Sequence, residues 1–123
     1  MASLFEAVAG NAIGYPAGLG GAVTQETSKA TGVTLNKVAG AITTHDAQLN
    51  GGNEVSFVVT NSFVAATDVP VLAIKSVNGS TGTYVASVSA VAAGSFTITL
   101  SNLGGTASET LVINFAVIKA AAS

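Results

Sequence analysis

The sequence predicts an all-β protein, an antiparallel β-sandwich or jelly roll with an extended N-terminal arm. Three observations carry that reading. Short runs alternating between apolar and polar residues recur about every ten residues, separated by Gly/Asn turn clusters. No stretch keeps a 3.6-residue apolar period over a helix length. The 123 residues are dominated by small, β-compatible side chains: 22 Ala, 16 Val, 14 Gly and 26 Ser plus Thr.

Residues 1–21 form the predicted arm and residues 22–123 the sandwich domain. Met1–Gly10 is mildly apolar and too short for a stable lone helix. Gly10, Gly14, Gly18, Gly20 and Gly21, with Pro16 among them, leave the next stretch without an element of its own. Leu4, Phe5 and Tyr15 are the side chains able to anchor such an arm.

Ala22–Thr24, Gly32–Asn36 and Ala39–Thr43 read as short strands, the last with Ile42 inward. Glu54–Thr60 alternates, with Val55, Phe57 and Val59 on one face. Val69–Val77 is apolar on both faces, and Pro70 near its start suits an edge or a strand beginning. Asn78–Gly82 is a turn. Thr83–Ala90 and Ser95–Leu100 pair as a hairpin through Gly94. Ser101–Gly105 is expected to turn. Glu109–Ile118 is the last strand: Leu111, Ile113, Phe115 and Val117 face one way, and Val112, Asn114, Ala116 and Ile118 the other. Apolar residues on both faces mean a central strand or a face covered by another subunit. That places an oligomer contact, in a homodimer or homotrimer, on Val112, Ala116 and Ile118.

Charge excludes several function classes. Only 8% of residues are charged, net charge is −2, and there is no Arg, so no basic surface exists for nucleic acid. Without Cys, and with His45 alone to offer imidazole, neither a disulfide frame nor a zinc or iron site is expected. No cofactor is expected. Mean hydropathy is +0.61, yet no apolar run reaches the roughly 20 residues of a spanning helix, and no membrane partner is expected. The N-terminus lacks a basic start and a long apolar middle, so the expectation is a protein made in the cytoplasm. So little charge hinders solubility, which suggests a surface covered by partners.

Candidate chemistry is sparse. His45-Asp46 is the acid–base pair close in sequence, but Thr43 and Thr44 beside it point to opposite faces of a strand, and a polar loop explains the pair. Glu6, Glu26, Asp46, Glu54, Asp68 and Glu109 are scattered, with no spacing that suggests a two-carboxylate or calcium site. Gly18-Leu19-Gly20-Gly21 lacks the preceding strand, following helix and lysine of a phosphate loop. Tyr84 is the best candidate for stacking on a sugar, and otherwise a residue at the core's edge. No enzyme activity is expected.

The run Val23-Thr24-Gln25-Glu26-Thr27-Ser28-Lys29-Ala30-Thr31-Gly32-Val33-Thr34-Leu35-Asn36-Lys37 resembles small structural proteins encoded beside capsid genes in tailed bacteriophages. So do Gly40-Ala41-Ile42-Thr43, Val55-Ser56-Phe57-Val58-Val59-Thr60-Asn61-Ser62 and Ile113-Asn114-Phe115-Ala116-Val117-Ile118. The resemblance spans about residues 20–118. It implies a virion protein with no catalytic residues: a head decoration (cement) protein on the capsid exterior, whose partners are the major capsid protein and itself. The runner-up is a tail-fibre or tail-tip component that meets a host receptor through loops such as Gly51–Glu54 and Asn78–Thr83. A carbohydrate-binding module and a hydrolase acting through His45 are the further alternatives.

Overall fold

A computed structural model describes residues 6–8 and 12–120. Every regular element among them is a strand. In chain order these are β1 (Glu6–Val8), β2 (Ala12–Gly14), β3 (Gly20–Thr24), β4 (Val33–Thr34), β5 (Ala39–Thr43), β6 (Glu54–Thr60), β7 (Val69–Asn78), β8 (Tyr84–Ala92), β9 (Ser95–Asn102) and β10 (Thr110–Ile118). Two four-stranded sheets, ordered β3-β5-β10-β7 and β4-β6-β9-β8, make the sandwich, and β1 and β2 pair as a separate two-stranded sheet. The span expected to be an extended arm therefore carries a small antiparallel pair, with Glu6 opposite Gly14. The first sandwich strand opens at Gly20, two residues before the expected start.

The chain crosses between the sheets at nearly every connection. The exception is the hairpin β8–β9, where Ala92 faces Ser95 and Gly94 turns with φ of 82°. Glycine adopts that left-handed backbone without a Cβ penalty. The crossing order has a consequence that alternation alone could not reveal. With β4 in the opposite sheet, β3 and β5 become neighbours running the same way, and β4 and β6 do likewise. Both sheets are thus mixed, which corrects the expectation of purely antiparallel pairing.

Alternation places the core between the sheets, because successive strand residues point to opposite faces. Ile42, Phe57, Val59, Phe96, Ile98, Ile113, Phe115 and Val117 form its centre, and Leu49, Leu100 and Leu111 a second cluster toward one end. Phe96 and Phe115 meet across the sheets with ring centroids 5.6 Å apart and planes tilted by 58°. Tilted ring pairs contribute about 0.5–1.5 kcal/mol beyond area burial. The two-faced strand β10 is central, between β5 and β7. Pro70 lies in β7, an edge strand, where its missing N–H is tolerated. Ser101 and Asn102, expected in a turn, instead end β9. Asn102 is fully buried, and its amide donates to the carbonyls of Leu49 and Gly105.

Candidate functional site

The chemistry-bearing side chains lie mostly in the loops at the two ends of the sandwich, and most of them brace the fold. At the end holding Thr24, Thr43 and Asn78, the Lys29 ammonium donates to the backbone carbonyls of His45, Ala47 and Glu109. Burial lowers the pKa of Lys29, while Asp46 and Glu109 raise it. Gln25 joins the same knot, donating to the Lys29 and Thr31 carbonyls and accepting from the His45 N–H. The Glu109 carboxylate accepts from the N–H groups of Gly82 and Thr81 and from the Tyr84 hydroxyl. The Gly82 N–H is the main cause holding that carboxyl below its usual range, against a smaller opposing effect of desolvation. Tyr84, desolvated and facing that carboxylate, is pushed up to about 12.

These contacts account for the sequence candidates at this end. His45 Nδ1 accepts the Ala47 N–H at 3.0 Å and lies 3.4 Å from the Asp46 carboxylate. The Thr44 hydroxyl accepts from the Leu111 N–H. Among the described residues no three His, Cys, Asp or Glu side chains converge as metal ligands. At the other end of β3, Gly18 turns with φ of 91°, while Gly20 and Gly21 are strand residues. Tyr84 packs on the second core cluster. The loops Gly51–Glu54 and Asn78–Thr83 are drawn together here by a bridge: Gly51 donates to the Thr106 hydroxyl, and Gly105 donates to the Thr81 carbonyl.

At the opposite end, the Tyr15 hydroxyl donates to the Val117 carbonyl, tying the N-terminal segment to the end of β10. Burial, with Asp68 adding to it, raises that phenol's pKa. Leu4 and Phe5 lie outside the described residues. Nearby, Lys119 pairs with the buried Asp68. Burial pushes the Asp68 carboxyl up, but the hydrogen bond from Lys119 and the Ala65 N–H more than offset it. A cavity of about 90 Å³, lined by Leu19, Asn36, Lys37, Val38 and Phe63, opens beside this end, and Phe63 is 44% exposed.

The broad surfaces are the outer faces of the two sheets, and they differ in chemistry. On the first sheet, pairing aligns Thr43, Val112 and Ser76 in one row, then Ala41, Asn114 and Ala73, then Ala39, Ala116 and Val71, then Ile118 and Val69. Ala22 and Gly20 of β3 extend two of these rows. Among the described residues this face has no ionisable side chain except Lys75, at a bulge on its β7 rim. Val112, Ala116 and Ile118 are only half-buried, and Val69 and Val71 beside them are 51% and 50% exposed. The β7 pair is the more open part of the patch; its two-faced apolar pattern was the signal for it. The second sheet turns hydroxyls outward, with Ser56 bonded to Thr99 and Thr99 to Ser89, around Val58 and Val85, which are 45% and 49% exposed.

Compared with protein-family models, curated proteins and solved structures, the chain matches none.

Proposed function

We propose that this chain is a structural virion protein, a decoration or cement protein that binds the outside of a tailed-phage head and stabilises it by bridging major capsid subunits. The observation that carries the reading is the outer face of the first sheet, whose rows hold Ala, Gly, Val, Ile, Ser, Thr and Asn and, among the described residues, a single charge at Lys75. Such a face desolvates cheaply against another protein, and burying apolar area contributes about 25 cal/mol per Å². The hydroxyl-bearing face of the second sheet suits contact with water. The phage-like segments of the sequence support the same reading, and the side-chain clusters at both ends are accounted for by bracing contacts.

On this reading the sandwich is a rigid, jelly-roll-like body. Val112, Ala116 and Ile118 belong to the surface that neighbouring subunits cover, and the residues before β3 are an arm anchored through Leu4, Phe5 and Tyr15. Repetition over a symmetric shell turns weak single contacts into firm attachment. No catalytic group, cofactor, nucleic acid or membrane takes part, and the protein passes from the host cytoplasm to the capsid exterior.

The test is to locate the protein in purified particles by immunogold labelling and to strip it from heads. Label on heads, with stripped heads failing sooner under heat and low salt, is the expected result. Absence from heads, or unchanged head stability, ends the proposal. A tail-fibre or tail-tip role is the second reading. It is favoured by the bridge that draws Gly51–Glu54 and Asn78–Thr83 together at one end, and label confined to tails would select it.

A further inference from the structure

Four strands end a sandwich sheet among the described residues: β3 and β7 in the first, β4 and β8 in the second. An exposed edge offers unpaired N–H and C=O groups to any passing strand, and proteins blunt it with proline, charge, bulges or shortness. Three of the four are blunted. β7 carries Pro70, which has no N–H, and a bulge at Lys75. β8 is bulged at Ser89, and β4 is two residues long. β3 has none of these devices. Its five residues, Gly20-Gly21-Ala22-Val23-Thr24, keep an unbroken register with β5 and carry no charge or proline.

We propose that β3 is a self-association edge: two copies pair β3 with β3 antiparallel about a twofold axis at Ala22, joining their first sheets into one eight-stranded sheet. The strand suits a second copy of itself. In that register Gly20 faces Thr24 of the other copy and Gly21 faces Val23, so every pair includes a small residue. The nearest acid in sequence, Glu26, comes opposite Gly18 and meets no like charge. Val23 and Leu35 pack on the core but stay half-buried at this edge, and the second copy would cover them. The contact is isologous, as a closed dimer requires. Five residues a side fall short of the roughly 800 Å² per partner of a standard interface, so the dimer forms only as concentration rises. This inference places self-contact on the edge and leaves the outer face of the first sheet free. It does not rest on the capsid proposal.

The experiment is sedimentation velocity over a concentration series on the full chain. Wild type shifts from monomer to dimer. Ala22→Lys and Ala22→Glu, each placing like charges face to face on the axis, stay monomeric over the same range. Mixing these two variants restores the dimer. Asn114→Lys, on the outer face of the same sheet, dimerises like wild type. A wild type that stays monomeric or forms trimers overturns the proposal, as does dimerisation lost in Asn114→Lys but kept in Ala22→Lys. If the Ala22 variants fail to fold, amide exchange on wild type decides: protection of Gly20–Thr24 that grows with concentration supports the edge contact, and unchanged protection rejects it.

Discussion

The Lys29 ammonium donates to the backbone carbonyl of Glu109 at 2.7 Å, across 80 positions of sequence. The same ammonium holds the carbonyls of His45 and Ala47, so one buried side chain ties three loops at one end of the sandwich. A buried acceptor left without a donor costs about 1–3 kcal/mol. Lys29→Met keeps the aliphatic stem and removes the donors, and it is expected to lower unfolding free energy by at least about that amount in urea titration. Lys75→Met, at an exposed position, is expected to change it by no more than about 0.5 kcal/mol. Equal effects of the two would mean that the knot contributes nothing.

Glu109 and Tyr84 set opposite pH limits on the same end. The folded Glu109 carboxyl lies below its usual value of 4.5. Its contribution is therefore fully present above 4.5 and is lost as pH falls through the lower folded value. Tyr84 is raised from 10.0 to about 12. Its contribution is complete below 10 and is lost as pH rises toward 12. Thermal melts across pH are expected to show Glu109→Gln flattening the acid limb and Tyr84→Phe flattening the alkaline one. A Tyr84→Phe profile that falls between 10 and 12 as steeply as wild type would refute the assignment, because Tyr15, also raised by burial, keeps its own share of that limb in both proteins.

What was legible in the sequence follows from the range of the interactions. Alternation in Glu54–Thr60 and Glu109–Ile118 revealed the inward faces, because period-two burial is local. The hairpin at Gly94 was legible for the same reason. The parallel pairs β3–β5 and β4–β6 were not, since they depend on which sheet each crossing reaches. Lys29 carries no sequence signal of its structural role, because its three acceptors come from loops up to 80 positions away and a backbone carbonyl has no sequence signature. Asn102 has a residue type that favours turns, yet it ends β9 and is buried with its amide donating to two carbonyls.

The parallel pair also makes two glycines unequal. A Cβ on Gly40 would stand 2.6 Å from the Gly21 carbonyl oxygen and 2.8 Å from Leu35, whereas one on Gly20 meets nothing closer than 3.7 Å. Backbone cannot give way as a flexible side chain can, and forced overpacking typically costs about 1–3 kcal/mol. Gly40→Ala is expected to destabilise by that order and Gly20→Ala to be near neutral, as read by denaturant midpoints. The reverse order would contradict the β3–β5 register.

Val71 and Val85 form a matched pair for testing which face adheres. They are 50% and 49% exposed, and both lie on edge strands, in β7 and β8. Val71 sits beside Ala116 on the outer face of the first sheet, and Val85 beside Ser101 on that of the second. Because both side chains already stand half in water, lysine at either place is expected to shift stability by no more than about 0.5 kcal/mol. Adhesion separates them. On the proposed reading, an ammonium at Val71 must be desolvated or left unpaired when a partner covers that nearly uncharged face, whereas one at Val85 stays in water. If the chain is a head decoration protein as proposed, Val71→Lys is expected to reduce the copies retained on purified particles severalfold, and Val85→Lys to leave them at the wild-type level, as read by quantitative gel densitometry. Retention lost with Val85→Lys instead would assign adhesion to the hydroxyl-bearing face.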